Sequence, residues 1–176
     1  MLQNISVRFD PVEDRLVLRF TEGDAAAAVE HWLHVTRRVY AVWRKDLQAM
    51  VDRSAALPER MDRGAKAVVA AAHHRAMASQ VKLRAEPAPA PRPETPEIRP
   101  WLVTAVECGR RKKDERWVLK FMLRERAPLT LVLSDSTLHG LIGAIARRVK
   151  VARWEFTALP LDKASSSPSG PPPALH

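Results

Sequence analysis

Two stretches of the sequence match each other without a gap: Glu13–Phe20 reads EDRLVLRF and Asp114–Phe121 reads DERWVLKF. At every position an acid stands against an acid, a base against a base or an apolar residue against an apolar residue. Both stretches alternate as a β-strand does, because successive side chains of a strand point to opposite faces of the sheet. The alternation predicts that Leu18 and Leu119 are buried and that the basic residue after each lies on an exposed face.

The flanks of both stretches extend the match to a repeated unit of strands followed by a helix. Ile5–Phe9 and Trp101–Glu107 alternate like strands and are joined to the matching stretches by turn residues, which predicts two hairpins. Leu129–Leu133 predicts a third strand in the second unit. Its counterpart in the first unit, around Val29–Leu33, is less distinct, because the alanines before it are equally compatible with a helix.

Each unit is predicted to end in a helix. Thr36 and Asp135 are candidate N-caps, because a side-chain oxygen at that position accepts a hydrogen bond from a free N–H group of the first turn. Apolar residues follow both of them at helical spacing. Gly140 and Gly143 lie within the second helix, where they would let another helix approach closely, and we expect that helix to be the matching one of the first unit.

A third helix, rich in alanine, is predicted between the units, from Glu59 to about Lys82. Six prolines then fall between Pro87 and Pro100, a composition typical of an extended spacer. The last residues, Ser165–His176, are rich in serine and proline, and we expect them to be disordered.

These patterns predict an α+β protein made by internal duplication, in which antiparallel sheets are backed by helices and the units meet through sheet edges or helices. The predicted organisation along the chain is a first unit at 1–57, a connecting helix at 58–84, a proline-rich linker at 85–100, a second unit at 101–160 and a disordered tail at 161–176.

The composition indicates a soluble protein. Of the 176 residues, 46% are hydrophobic and 28% are charged, enough of each for an apolar core and a polar surface. The longest apolar run, Leu141–Ala146, is too short to cross a bilayer, and the first residues lack the pattern of a signal peptide. Cys108 is the only cysteine. We therefore expect a cytoplasmic protein with no membrane association.

The net charge of +9 lies mostly in the second half of the chain. Residues 1–52 carry −1, residues 53–100 carry +4 and residues 101–160 carry +6. Such asymmetry favours an anionic partner. The candidate nucleic-acid-binding residues are the basic side chains of the predicted hairpin turn, of the strand after it and of the end of the last helix: Arg110, Arg111, Lys112, Lys113, Arg116, Lys120, Arg147, Arg148, Lys150 and Arg153.

Two functions remain open at this point. The first is a non-catalytic protein that contacts nucleic-acid phosphates through its second unit with little sequence specificity. The second is an adaptor that holds a protein partner with the alanine-rich helix and the proline-rich spacer. A basic surface that is merely solvated is the simplest interpretation of the charge pattern. A base-stacking platform would need an aromatic residue on the basic face of a sheet, and the pattern assigns none to it.

Residues that could carry catalysis or hold a metal ion are few, so we expect neither an enzyme nor a cofactor. Cys108 would need a base such as His139 to act as a nucleophile, and a half-buried strand residue is the simpler interpretation. His31 and His34 are three positions apart and should lie on opposite faces of a strand, where they cannot share a metal ion. Helix capping accounts for Asp135 without any catalytic role.

Overall fold

The computed structural model describes residues 2–22, 29–81 and 100–156. It is a mixed α+β structure with one six-stranded sheet and three helices in these residues. None of these helices has the length and apolar character that crossing a membrane requires. Most of the predicted linker and all of the predicted tail lie outside the described residues. The elements follow in the order β1 (Leu2–Asp10), β2 (Arg15–Glu22), β3 (Val29–Thr36), α1 (Arg37–Ser54), α2 (Arg63–Ser79), β4 (Trp101–Arg110), β5 (Trp117–Leu123), β6 (Arg126–Leu133) and α3 (Asp135–Val151).

The order of the strands in the sheet is their order in the chain. Neighbours within β1–β3 and within β4–β6 are antiparallel. The central pair, β3 and β4, is parallel and short, with Leu33 opposite Trp101 and His34 opposite Leu102. The expectation of contact through sheet edges is therefore confirmed. Because the third strand of one group meets the first strand of the other, this contact is head to tail.

The two matching sequence stretches occupy equivalent places, in the middle strands β2 and β5. Leu18 and Leu119 are 1% and 0% exposed, whereas the side chains of Arg19 and Lys120 are 40% and 41% exposed. The predicted phase of both strands is confirmed. The strand around Val29–Leu33 also forms, as part of β3.

The N-cap of α3 differs from the prediction, while that of α1 agrees with it. Thr36 caps α1 with its hydroxyl oxygen, as expected. In α3 the cap is Ser134, which has an extended backbone and accepts a hydrogen bond from the N–H of Thr137 at 3.2 Å. Asp135 is instead the first helical residue, and its carboxylate accepts a hydrogen bond from the indole of Trp117. An acid in the first turn also stabilises a helix through its dipole.

The alanine-rich helix is shorter than predicted, and this helix, not α1, packs closely on α3. It begins at Arg63 and not near Glu59, because Asp62 accepts hydrogen bonds from two N–H groups of the first turn, at 2.8 and 3.1 Å. The neighbour of Gly143 is this helix and not α1, since a Cβ placed on Gly143 would lie 3.9 Å from the Cβ of Ala78. The glycine thus permits close approach of α2 to α3.

The helices lie on one face of the sheet, and α1 and α3 each pack on the half of the sheet to which they do not belong in the chain. α1 follows β3 but packs mainly on β4, and α3 follows β6 but packs on β1. Trp43 of α1 meets the ring of Phe121 edge to face at 5.7 Å. At the other end of the sheet, Arg148 of α3 donates a hydrogen bond to the carbonyl of Val7 at 2.9 Å, and the ring of Phe9 contacts Trp154 just after α3. Both halves therefore share one core.

Replacing Leu119 with Ala should lower the free energy of unfolding by about 2–5 kcal/mol, because the change leaves a cavity in the shared core. Lys120→Ala, on the other face of the same strand, should change it by no more than about 0.5 kcal/mol. Chemical denaturation of both variants measures the difference. Equal effects would show that the phase of β5 is wrong.

A fragment of residues 1–81 should not fold on its own. It would keep α1 but lose β4, on which α1 packs, and it would lose α3, which covers β1. Large apolar side chains such as Trp43 would then face water. Circular dichroism with thermal unfolding tests this prediction. A cooperative transition of the fragment would contradict the shared core.

Candidate functional site

The turn between β4 and β5 holds half of the candidate basic residues, and acids of the same turn engage three of them. The Nε of Arg111 donates a hydrogen bond to Oδ1 of Asp114 at 2.7 Å. The Nε of Arg110 lies 3.1 Å from Oε2 of Glu115, and that of Arg116 lies 3.9 Å from Oδ2 of Asp114. The hydrogen bond from Arg111 is the main cause that lowers the pKa of Asp114 to about 2. The arginines of the turn are thus already neutralised in part.

The two lysines at the apex of this turn differ from its arginines in their ion pairing. Lys112 and Lys113 are exposed, and no residue that the structure describes forms a hydrogen bond or ion pair with either. Backbone hydrogen bonds between Arg111 and Arg116 at 2.8 Å, and between Glu115 and Arg111 at 2.9 Å, close the turn beneath them. The lysines therefore extend from an ordered base and can meet an anion without breaking an existing ion pair.

A second group of candidate residues lies at the end of α3. Arg148 donates to the carbonyl of Val7 and so contributes to the packing of α3 on β1. Arg147, Lys150 and Arg153 are exposed and have no ion-pair partner within the described ranges. The cations in the last turn also stabilise the negative end of the helix dipole.

The structure does not bring these basic residues together. The turn group lies near the start of α3, since Trp117 beside it donates to Asp135. The second group lies at the far end of the same helix, and the rise of an α-helix puts Arg148 about 20 Å from Asp135. Lys120 belongs to neither group, because it lies on the sheet face away from the helices and pairs with Glu107 at 3.0 Å. The ten candidates occupy three regions.

An aromatic side chain that the sequence interpretation did not assign lies on the open face of the sheet. Trp32 of β3 is opposite Arg19 of β2, so it shares the face that carries the basic residues. The guanidinium carbon of Arg19 lies 5.1 Å from the centre of the indole, and that of Arg8 lies 5.5 Å from it. We call these three residues the arginine–tryptophan cluster. The position of Trp32 follows from its neighbour Leu33, a core residue, once the strand is recognised.

A hydrogen-bonded chain of four polar side chains joins the three helices. The hydroxyl oxygen of Ser54, at the end of α1, lies 2.6 Å from Nε2 of His139 in α3 and 3.1 Å from Nε2 of His73 in α2. The Nδ1 of His139 lies 2.7 Å from Nδ1 of His74. His139 is 0% exposed and His74 is 4% exposed. The adjacent histidines of α2 were visible in the sequence, but nothing there connected them with His139.

The hydroxyl of Ser54 lies within hydrogen-bond distance of the His139 imidazole, as a catalytic nucleophile lies near its general base. His139 is, however, a weak base. Burial, followed by the charges of His74 and His73, lowers the pKa of His139 to about 4, whereas a general base works best with a pKa near the operating pH. Neutral imidazoles satisfy the whole chain, because each ring has one N–H and one lone pair and all the hydrogen bonds can point in one direction. The arrangement therefore ties the helices together.

The other residues considered for catalysis or metal binding have surroundings that indicate a structural role. Burial raises the pKa of the Cys108 thiol to about 11, so the thiol stays protonated near neutral pH. His31 contacts the ring of Phe20 in the core at 5.1 Å, whereas His34 lies 3.3 Å from Arg15 on the open face. The prediction that these two histidines lie on opposite faces is confirmed. No group of three or more potential ligands in the described ranges is arranged to hold a metal ion.

Comparison with known proteins gives no match to the chain among protein-family models, curated proteins or solved structures. The function is therefore inferred from the residues themselves.

Acidification should destabilise the fold. The pKa of an unfolded histidine is near 6.5, whereas that of His139 is about 4 in the folded protein and that of His74 is also lowered, chiefly by burial. Between these values the unfolded chain binds more protons than the folded one. The stabilisation is therefore complete above about pH 6.5 and is lost as the pH falls towards 4. For His139 alone it is of the order of 3 kcal/mol.

Urea denaturation at several pH values between about 7.5 and 4.5 measures this loss. His139→Gln is the matched control, because the amide can donate and accept hydrogen bonds but does not titrate in this range. Its stability should depend less on pH than that of the wild type. The same pH dependence in both proteins would show that the cluster is not the cause.

Proposed function

We propose that the protein is a non-catalytic binding protein that contacts the phosphate backbone of nucleic acid, mainly through its basic second half. The observation that carries this proposal is that Lys112 and Lys113, at the apex of the β4–β5 turn, have no ion-pair partner in the part of the chain that the structure describes. They stand in a region of the chain with twelve Lys and Arg against six Asp and Glu. Cations without internal partners suit an anion that is repetitive and exposed, as a phosphate backbone is.

The cations at the end of α3 supply a second point of contact. Arg147, Lys150 and Arg153 lie about 20 Å from the turn along α3, a length that corresponds to about six base pairs of duplex. Neither group is arranged to read base edges, because each is a set of flexible side chains at the end of an element. Binding of this kind orients a nucleic acid but carries no sequence information.

One observation favours the adaptor as a second candidate. Val68 on α2 is 68% exposed and Val69 beside it is 40% exposed, which leaves an apolar strip on the outer side of that helix. A partner helix could pack there. Association with a protein that persists at high salt, without any binding of nucleic acid, would favour the adaptor.

We also propose that the two groups of strands, each followed by a helix, arose by duplication. The support comes from the gapless match of β2 with β5 and from the reciprocal packing of α1 on β4 and of α3 on β1. The backbone adds an independent similarity. Asp14 and Glu115, which occupy the same position of the matching stretches, both have positive φ, at 49° and 56°. The duplication accounts for the similar turns but does not require the two units to have the same function.

Replacing Lys112 and Lys113 with Gln should weaken binding to oligonucleotides of any sequence about equally, because phosphate contacts are lost and base contacts are not. The slope of log affinity against log salt concentration should become shallower by about 0.7–0.9 for each lost contact. Fluorescence anisotropy with labelled single- and double-stranded oligonucleotides at several salt concentrations measures both effects.

Arg38→Gln with Lys45→Gln is the matched control. Both residues are exposed on α1, and the double change removes the same charge from the first half of the chain. We expect it to alter affinity much less than the turn variant does. If the wild-type protein binds no oligonucleotide at low salt, the proposed function is wrong. If the turn variant binds as the wild type does, the turn is not the contact.

A further inference from the structure

We propose that the open face of β1–β3 is a binding site for unpaired bases of a single-stranded nucleic acid, in which a base stacks on the arginine–tryptophan cluster formed by Trp32, Arg8 and Arg19. The inference rests on the proposed function, because it names the form of nucleic acid that the protein takes. It adds a site in the first half of the chain, away from the turn lysines.

The cluster lies on the face of the sheet opposite to the three described helices. α1 and α3 pack on the opposite face, where Trp43 meets Phe121 and Trp154 meets Phe9. α2 packs on α3, farther from the sheet. Among the described residues, the open face carries side chains of the strands and no helix, and Val17 on this face is 1% exposed. A flat ligand can therefore approach the cluster without displacing any described element.

Two hydrogen-bond donors of the cluster have no acceptor in the ranges that the structure describes. The Nε of Arg8 and the Nε1 of Trp32 are buried, and neither has a hydrogen-bond partner within the described residues. Buried donors without acceptors are rare in folded proteins, and each is a reason to look for a missing partner. A strand of nucleic acid offers acceptors for these two donors, namely the carbonyl oxygens of the bases and the oxygens of the phosphates.

The third member of the cluster is held in place by an ion pair. The Nε of Arg19 donates to the Glu30 carboxylate, which lies on the same face of β3 two positions before Trp32. This contact helps to hold the guanidinium carbon 5.1 Å from the centre of the indole. Arginine planes and indole rings both stack on bases, so the cluster combines groups that can stack with the positive charge of Arg8.

This chemistry selects unpaired bases over a duplex. In a duplex the faces of the bases are covered by their neighbours, so a tryptophan in a sheet reaches them only after unstacking. In a single strand the faces are free, and stacking tolerates every base because each has a π-face. The positive charge of Arg8 complements a phosphate beside the stacked base, whereas that of Arg19 is already paired with Glu30.

Trp32→Leu tests the site, because leucine keeps an apolar side chain at this position of β3 but cannot stack as an indole does. We expect its affinity for an oligothymidine of about 15 nucleotides to fall about 10-fold, while the salt dependence stays as in the wild type. Trp32→Phe should retain most of the affinity. Fluorescence anisotropy measures binding, and thermal unfolding shows whether both variants keep the stability of the wild type.

A second comparison needs no variant at all. An abasic strand of the same length keeps the phosphates but has no bases, so the wild type should bind it about 10-fold more weakly than oligothymidine, and Trp32→Leu should bind both strands alike. Equal binding of the two strands by the wild type would overturn the stacking site while leaving the phosphate-binding function standing. A shallower salt slope in Trp32→Leu would also overturn it, since the lost contact would then be ionic. No binding to any strand would overturn both proposals.

Competition with thymidine monophosphate shows whether the site binds a strand or a free nucleotide, since both offer the same base and phosphate groups. At equal nucleotide concentration it should not displace the labelled oligothymidine, because a single nucleotide reaches only one of the contacts that a strand makes. Full displacement by the monophosphate would show a mononucleotide site and would overturn the proposal of strand binding.

Discussion

The exchange of helices between the two halves of the sheet is the constraint on which the rest of the structure depends. The pairing of β3 with β4 is too short to join the halves by itself, since only two residue pairs form it. The apolar side chains of α1 and β5, with Trp43 against Phe121, supply the burial that the short pairing lacks. Because α3 repeats this arrangement on β1, neither half has a complete core without the other.

Placing every helix on one face of the sheet determines what the other face can do. A strand with one covered face alternates between core and surface side chains, and both middle strands have basic residues at the surface positions. Here Lys120 faces Glu107, whereas Arg8 and Arg19 face an indole. The same alternation thus produces an ion pair across β4 and β5 and a cluster of aromatic and cationic groups across β1–β3.

The strands could be predicted from the sequence because their alternation is local, and the burial of Leu18 and Leu119 confirms it. The N-cap of α3 was misplaced by one residue, since Ser134 and Asp135 are both good capping residues and only the backbone conformation separates them. Trp32 could not be assigned to a face while β3 remained ambiguous with a helix. The contact of His74 with His139 joins residues 65 positions apart, and no local pattern reports such a contact.

The position of α2 depends on polar contacts more than on apolar burial. Only Ala70 and His74 of this helix are buried, so its apolar stripe contributes little area to the core. The chain of hydrogen bonds from His73 through Ser54 and His139 to His74 instead fixes the helix against both of its neighbours. A polar contact of this kind is favourable only while every donor has an acceptor, because an unpaired buried group costs more than the hydrogen bond gains. Protonating one ring removes an acceptor and adds a charge, so we expect acid to weaken the docking of α2.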